Sequence, residues 1–168
     1  MKKDPRLEEA LLLLDPPKGT RLWYGGSTAV GALRGVSHRV AAWKPAPERH
    51  SIWELVLHVA YWKYAVRRKL EGGPRGGFPR KPSNFPRMPE PATTAAWKED
   101  RELLASEHTA LVAAARALDL KRLDEPVSEK GPHRYLDLIF GVATHDIHHV
   151  GQIQLLKRLY PSQSSSLP

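Results

Sequence analysis

The chain has 168 residues, of which 41% are hydrophobic and 26% charged, with a formal net charge of +8 at pH 7. This length and balance predict one globular domain with a single core. The lack of cysteine excludes disulfides, thiolate ligands and a cysteine nucleophile from the chain itself. No apolar run reaches the roughly 20 residues that cross a bilayer. The N-terminal segment has no signal-peptide pattern, so we expect no membrane partner and a cytoplasmic location.

A short helix is predicted first, in DPRLEEALLLLDPP, because Pro16 and Pro17 stop it. The next segment, GGSTAVGALRGVSHRVAAWKPAP, has the periodicity of a helical region broken by Gly35 and ended by Pro45. Ser27 and Ser37 are plausible N-caps within it. No stretch of the chain alternates like a β-strand.

The best-defined helix is predicted from about residue 52 to residue 71. Ser51 and Glu54 match the S-x-x-E capping box, in which each side chain bonds the other residue's free backbone amide. Gly72 and Gly73 supply the C-terminal stop. Residues 72–91 follow, with six prolines and four glycines, and this composition excludes a helix or strand interior. Loops of this length are usually functional or disordered.

Two further long helices are predicted, one within residues 93–120 and one from about Arg134 to Tyr160. Residues 161–168 are expected to be a disordered tail, so the domain covers residues 1–160. A 20-residue link extends to about 66 Å, whereas a 20-residue helix is about 30 Å long, so residues 72–91 can join two parallel helices. We therefore predict an all-α four-helix bundle in up-down-down-up order, with one long crossover and a short N-terminal helix.

Three of the eight histidines lie close together in the last predicted helix, in THDIHHVGQ. One seam of this helix repeats at spacings of four and three and faces inward, and it consists of Leu138, Val142, His145, His149, Gln152, Leu156 and Leu159. Two imidazoles at positions i and i+4 can bind one metal ion from the same helix. His148 lies about 100° from His149 around the helix and is expected to face a neighbouring helix or solvent.

A third ligand is expected from the capped helix, whose inward stripe consists of Leu55, His58, Val59, Trp62 and Val66. Three neutral imidazoles and a water molecule form an open site for Zn²⁺ or a similar divalent ion. The alternative is that these histidines are hydrogen-bonded core residues without a metal. His108 shares an inward stripe on the third long helix and is an optional fourth ligand.

The positive charge is concentrated between residues 63 and 87, where one acid, Glu71, accompanies eight basic residues: Lys63, Arg67, Arg68, Lys69, Arg75, Arg80, Lys81 and Arg87. Nucleic-acid binders usually spread such charge along a face or interleave it with stacking aromatic residues. A solvated basic loop or an anion-attracting rim is therefore favoured. Nucleic-acid binding remains an alternative, and it predicts strongly salt-dependent association.

The segments AAWKPAPERHSIWELVLHVAYW and THDIHHVGQIQLL resemble the DinB-like (YfiT-like) superfamily of metal-dependent enzymes. The resemblance extends from about Trp23 to Tyr160, and its specific parts are the HSIWELVLH helix and the H-x-x-H-H-x-x-Q run. It implies a four-helix bundle in which one histidine of the second core helix and an H-x-x-x-H pair of the last helix bind Zn²⁺, Ni²⁺ or a related ion. By position, those ligands are His58, His145 and His149.

The resemblance also implies a function, because relatives include S-transferases and isomerases that use low-molecular-weight thiols such as bacillithiol, mycothiol or glutathione. An open coordination position can bind such a thiol as the thiolate, which then attacks an epoxide, an activated halide or a conjugated alkene. A metal-dependent hydrolase on the same site and a non-catalytic, stress-related metal-binding or interaction protein remain alternatives. No catalytic residue is assigned: Glu54 belongs to the capping box, and Asp146 and Tyr61 are only candidate bases.

The second half of the crossover, from Phe85 to Pro91, is expected to pass close to the metal site, because the crossover must return to that end of the bundle. We hypothesise that Arg87, with Arg80 or Lys81, contacts an anionic cofactor or substrate. The alternative is that these side chains only solvate the loop. A homodimer is expected by analogy with other bundles of this kind.

Overall fold

The computed structural model describes residues 4–23, 25–73 and 76–161. Five helices lie in these ranges: α1 (Pro5–Leu14), α2 (His38–Ala42), α3 (Ile52–Glu71), α4 (Thr94–Ala117) and α5 (Tyr135–Leu159). The described residues form no β-strand, so the predicted all-α bundle is confirmed. No helix in the described ranges is long and apolar enough to cross a membrane. Most of the predicted disordered tail, residues 162–168, lies outside the described residues.

The local signals in the sequence set the ends of α3. Ser51 Oγ accepts a hydrogen bond from the Glu54 backbone N–H at 3.2 Å, and Glu54 Oε2 accepts one from the Ser51 N–H at 2.8 Å. Gly72 ends the helix with a left-handed φ of 68°, a conformation that glycine adopts without steric cost. The predicted bounds of this helix, 52 and 71, are therefore confirmed.

The segment predicted as a broken helical region is broken at Gly35, as the sequence indicated. It contributes a 3₁₀ turn at Gly31–Leu33 and the five-residue helix α2, whose N-cap is Ser37. Gly35 lies between them with a left-handed φ of +76°, which prevents one continuous helix. The N-terminal helix α1 packs along α5, and buried leucines of α1 share a hydrophobic cluster with Ile139 and Val142.

Contacts between side chains give the directions of the long helices. The Trp53 indole N–H donates to Asp100 Oδ2 at 2.7 Å, and further along both helices Arg67 Nε donates to Glu107 Oε2 at 2.9 Å. Because these contacts advance in the same direction, α3 and α4 are parallel, as a long crossover permits. The complete up-down-down-up order stays a prediction.

A layer of buried polar side chains separates two hydrophobic clusters of the bundle. One cluster contains the first residues of α3 and the end of α5, and the other contains the end of α3 and the first half of α5. Between them lie His58, Lys63, Asp146 and His149, which are at most 6% exposed. Burial of a polar group raises the free energy of the folded state unless the group is paired, so this layer is a candidate functional site.

Candidate metal centre

The polar layer brings together the three histidines that the sequence indicated. His145 Nε2 lies 3.0 Å from His58 Nε2 and 3.1 Å from His149 Nε2. Antiparallel packing of α3 and α5 places the single histidine of one helix opposite the i, i+4 pair of the other. His58 and His149 are buried and His145 is partly buried.

Two neighbouring acceptors determine the tautomers of the outer histidines. His58 Nδ1 lies 2.5 Å from the backbone carbonyl oxygen of Asn84, and His149 Nδ1 lies 2.6 Å from Gln152 Oε1. A carbonyl oxygen only accepts hydrogen bonds, so each Nδ1 carries the proton and each Nε2 presents a lone pair. Gln152 Nε2 points the other way and lies 3.3 Å from His148 Nε2.

The resulting donor set suits a divalent cation. His58 Nε2 and His149 Nε2 both present a lone pair to His145 Nε2. A proton on His145 Nε2 can be donated to only one of these two nitrogens. His145 Nδ1 is buried and has no hydrogen-bond partner among the described residues. In a tetrahedral site with N–metal distances of about 2.0–2.1 Å, neighbouring ligand nitrogens are about 3.3 Å apart. The observed separations of 3.0 and 3.1 Å are close to that value.

Burial keeps the three imidazoles in the neutral form that metal ligation requires. Burial lowers the pKa of His58 to about 4, and the charges of nearby histidines add to this effect, while the Asn84 carbonyl opposes it. Burial, together with His149, His58 and Lys63, lowers the pKa of His145 to about 3. Burial also lowers the pKa of His149, against the opposing hydrogen bond to Gln152.

The crossover covers one side of the histidine cluster. The Phe85 ring stacks on the His58 imidazole with centroids 3.8 Å apart, and on its other neighbour, His50, at 4.3 Å. The preceding residue, Asn84, has a φ of 71° and accepts a hydrogen bond from Trp62 Nε1 through Oδ1 at 2.9 Å. The second half of the crossover therefore passes next to the site, as its length and direction predicted.

Other residues singled out in the sequence lie apart from the cluster. His108, the optional fourth ligand, has its Nε2 3.4 Å from Asp15 Oδ1 and does not belong to the three-histidine group. His148 is exposed, and its ring lies 4.9 Å from that of His149. Arg80 forms an ion pair with the buried Asp100 at 2.8 Å, and this pair compensates the charge of the guanidinium group. Arg87 is exposed on the crossover, two residues after Phe85.

The inward seams predicted for α3 and α5 agree only partly with the residues that these helices bury. On α3, Trp62 is 37% exposed, and on α5 both Gln152 and Leu159 are exposed. The buried face of α5 is rotated toward α1 and α3, and it includes Ile139, Asp146 and Ile153. Gln152 is exposed but accepts a hydrogen bond from His149 Nδ1. Its position three residues after His149 on the same helix is the sequence feature that indicates this contact.

Sequence reasoning missed a buried ion pair beside the cluster. The Lys63 ammonium donates a short hydrogen bond to Asp146 Oδ2, and Lys63 is fully buried. Burial lowers the pKa of Lys63 and raises the pKa of Asp146, while their mutual attraction opposes both shifts. In the sequence Lys63 belongs to the basic run between residues 63 and 87, and Asp146 is a candidate base. The available signal was the spacing of Lys63 four residues after the inward Val59.

Comparison with known families agrees with this geometry. The family model of the DinB superfamily matches residues 26–153, about three quarters of the chain, and this range includes His58, His145 and His149. The chain belongs to the DinB superfamily. The resemblance predicted from the two histidine segments is thereby confirmed. Searches of curated proteins and of solved structures gave no significant match.

Proposed function

We propose that this DinB-superfamily chain binds one divalent metal ion through Nε2 of His58, His145 and His149. The observation that carries the proposal is the position of His145 Nε2, which lies 3.0 Å from His58 Nε2 and 3.1 Å from His149 Nε2. Asn84 and Gln152 direct two of the lone pairs inward, as partners of metal-bound histidines commonly do. Zinc and nickel are the ions we propose, because both accept imidazole ligands.

The reaction that we propose is transfer of a low-molecular-weight thiol to a small electrophile. The thiol loses its S–H proton to solvent, its sulfur forms a bond to carbon, and the leaving group departs with the bonding electron pair. A divalent ion at the three histidines would supply Lewis acidity that lowers the pKa of the thiol. The half-exposed Trp62 and the exposed Gln152 border the cluster, which supports access by small molecules.

The surroundings of the cluster favour this chemistry over hydrolysis with a dedicated base. Among the described residues, no carboxylate joins the three histidines. Glu54 is engaged by the Ser51 backbone and by Lys44 at 2.7 Å, and Asp146 is paired with Lys63. A thiol ionises much more easily than water and needs no such base.

Further proposals concern the surroundings of the site. We propose that Arg87 contacts an anionic group of the thiol or substrate. Equal thiol affinities of Arg87→Ala and the parent protein would contradict this contact.

A homodimer and a cytoplasmic location stay predictions. Nucleic-acid binding through residues 63–87 is less well supported, because Lys63 is buried and Arg67 is paired with Glu107.

The test of the reaction uses zinc- or nickel-loaded protein with glutathione, bacillithiol or mycothiol and the activated halide 1-chloro-2,4-dinitrobenzene. We expect thioether formation above the uncatalysed rate in the parent and none above that rate in His149→Ala. Turnover of 4-nitrophenyl acetate without any thiol would favour the hydrolase. Metal binding without either reaction would favour the non-catalytic protein.

A further inference from the structure

A second feature of the molecule is a cleft between the C-terminal half of α3 and the first part of the crossover. Its volume is about 680 Å³, within the range of small-molecule sites. Trp62 lies at one end of its wall, and Lys69 and Gly72 lie further along α3. The cleft therefore begins beside the histidine cluster and extends away from it along the helix.

The charged side chains that line the cleft are all positive. Its described lining contains four cationic side chains and no carboxylate. Arg68 is paired with Glu71 at 3.0 Å. Arg80 is paired with Asp100 at 2.8 Å, so its charge is largely compensated. Lys69 and Lys81 are exposed and form no ion pair within the described part of the chain. Lys69 belongs to α3 and Lys81 to the crossover, so the two ammonium groups come from different walls.

Five aromatic side chains also line the cleft: Tyr61, Trp62, Tyr64, Phe78 and Tyr135. The Phe78 ring packs against Tyr61 with centroids 5.6 Å apart and against Tyr64 at 5.5 Å. Trp62 lines the cleft, and its ring centroid is 6.1 Å from that of His145. Flat aromatic walls with a few fixed charges are typical of sites for small organic ligands.

We infer that this cleft binds a small organic anion, a carboxylate or phosphate with an aromatic or aliphatic body. Its charged group meets Lys69 and Lys81, and its other end reaches Trp62 and the histidine cluster. Lys69 is seven residues after Trp62, a helical rise of about 10 Å, which sets the distance between the two ends of the ligand. The inference that an anion binds rests on the cleft alone. The inference that the ligand reacts at its end beside Trp62 rests on the proposed function.

The test titrates 2-naphthoate and its neutral analogue 2-naphthamide into the full chain by calorimetry at low ionic strength. We expect saturable binding of naphthoate, about tenfold tighter than that of naphthamide. The Lys69→Gln/Lys81→Gln variant should bind naphthoate about tenfold more weakly. The matched control is Lys98→Gln/Lys121→Gln, which removes two exposed charges elsewhere and should leave the affinity unchanged.

The design separates this inference from the proposed metal site. Naphthoate is also titrated into metal-free parent and into His149→Ala, where we expect binding to persist because the lysines are intact. Equal affinities for the two probes, no saturable binding of naphthoate, or equal losses in the two double variants would each overturn the inference. None of these results depends on whether a metal ion binds.

Discussion

The backbone carbonyl oxygen of Asn84 lies 2.5 Å from Nδ1 of His58. This contact joins a proline- and glycine-rich crossover to a ligand candidate on α3, across 26 residues of sequence. Because the carbonyl only accepts, it holds the proton on Nδ1 and leaves Nε2 free. The crossover therefore sets the chemical state of the site as well as the direction of the helices.

Replacement of Asn84 by valine should weaken zinc binding about tenfold. Asn84 has a φ of 71°, a left-handed conformation that a β-branched residue resists, so valine should displace the carbonyl from His58. Asn84→Gly is the matched variant, since it loses the same hydrogen bond to Trp62 but accepts the backbone conformation. Competition with a chromogenic chelator measures both affinities, and equal values for the two variants would refute the role of the carbonyl.

Replacement of Gln152 by leucine should also lower the zinc affinity about tenfold, because His149 Nδ1 loses its acceptor. Gln152→Glu retains an acceptor and should keep the affinity near that of the parent. Gln152 is exposed, so folding should be little affected, and circular dichroism checks this. Gln154→Leu, on the same helix, is the control. The prediction fails if Gln152→Leu and Gln154→Leu bind zinc equally well.

Much of this architecture follows from short-range signals. The Ser51–Glu54 capping box and Gly72 predicted α3, and the i, i+4 spacing of His145 and His149 predicted that both lie on one face of α5. Such signals act within one turn of chain and are visible in a single sequence.

Other features depend on long-range packing. The packing of α1 along α5 buries leucines of α1 beside Ile139 and Val142, and only the assembled core shows this contact. The Lys63–Asp146 pair joins residues 83 apart, and only the assembled layer shows that the two charges meet. A lysine in a basic run ordinarily lies in solvent, so its burial could not be inferred from composition.

Lys63→Met should destabilise the protein by about 3–5 kcal/mol, because it leaves the Asp146 carboxylate buried without its partner. Asp146→Leu should be similarly costly for the same reason. The double variant should be less destabilised than the sum of the two, since no charge remains unpaired. Urea unfolding of metal-free protein measures the three free energies. Strict additivity would show that the pair does not interact in solution.

The metal-free protein should lose stability as the pH falls below about 6.5. The pKa values of His58 and His145 are lowered to about 4 and about 3, below their ordinary value of 6.5. Between these values the unfolded chain takes up protons that the native chain does not, so the free energy of unfolding rises with pH in this window. We expect a loss of about 4 kcal/mol between pH 7.5 and 5 for the two together.

Urea unfolding of chelator-treated protein at both pH values measures this loss, and His58→Gln should show a smaller one because one of the two groups is gone. A free energy of unfolding that is the same at pH 7.5 and pH 5 would contradict the burial of neutral imidazoles in this layer.

The most direct test of the metal site is elemental analysis of protein purified without an affinity tag, followed by titration with Zn²⁺ and Ni²⁺. We predict about one divalent ion per chain in the parent. The ion should be lost in His58→Ala and His149→Ala and retained in His148→Ala, which removes the exposed neighbour of His149. Absence of metal in the parent, with no binding on titration, would contradict the site and make the three histidines structural residues of the core.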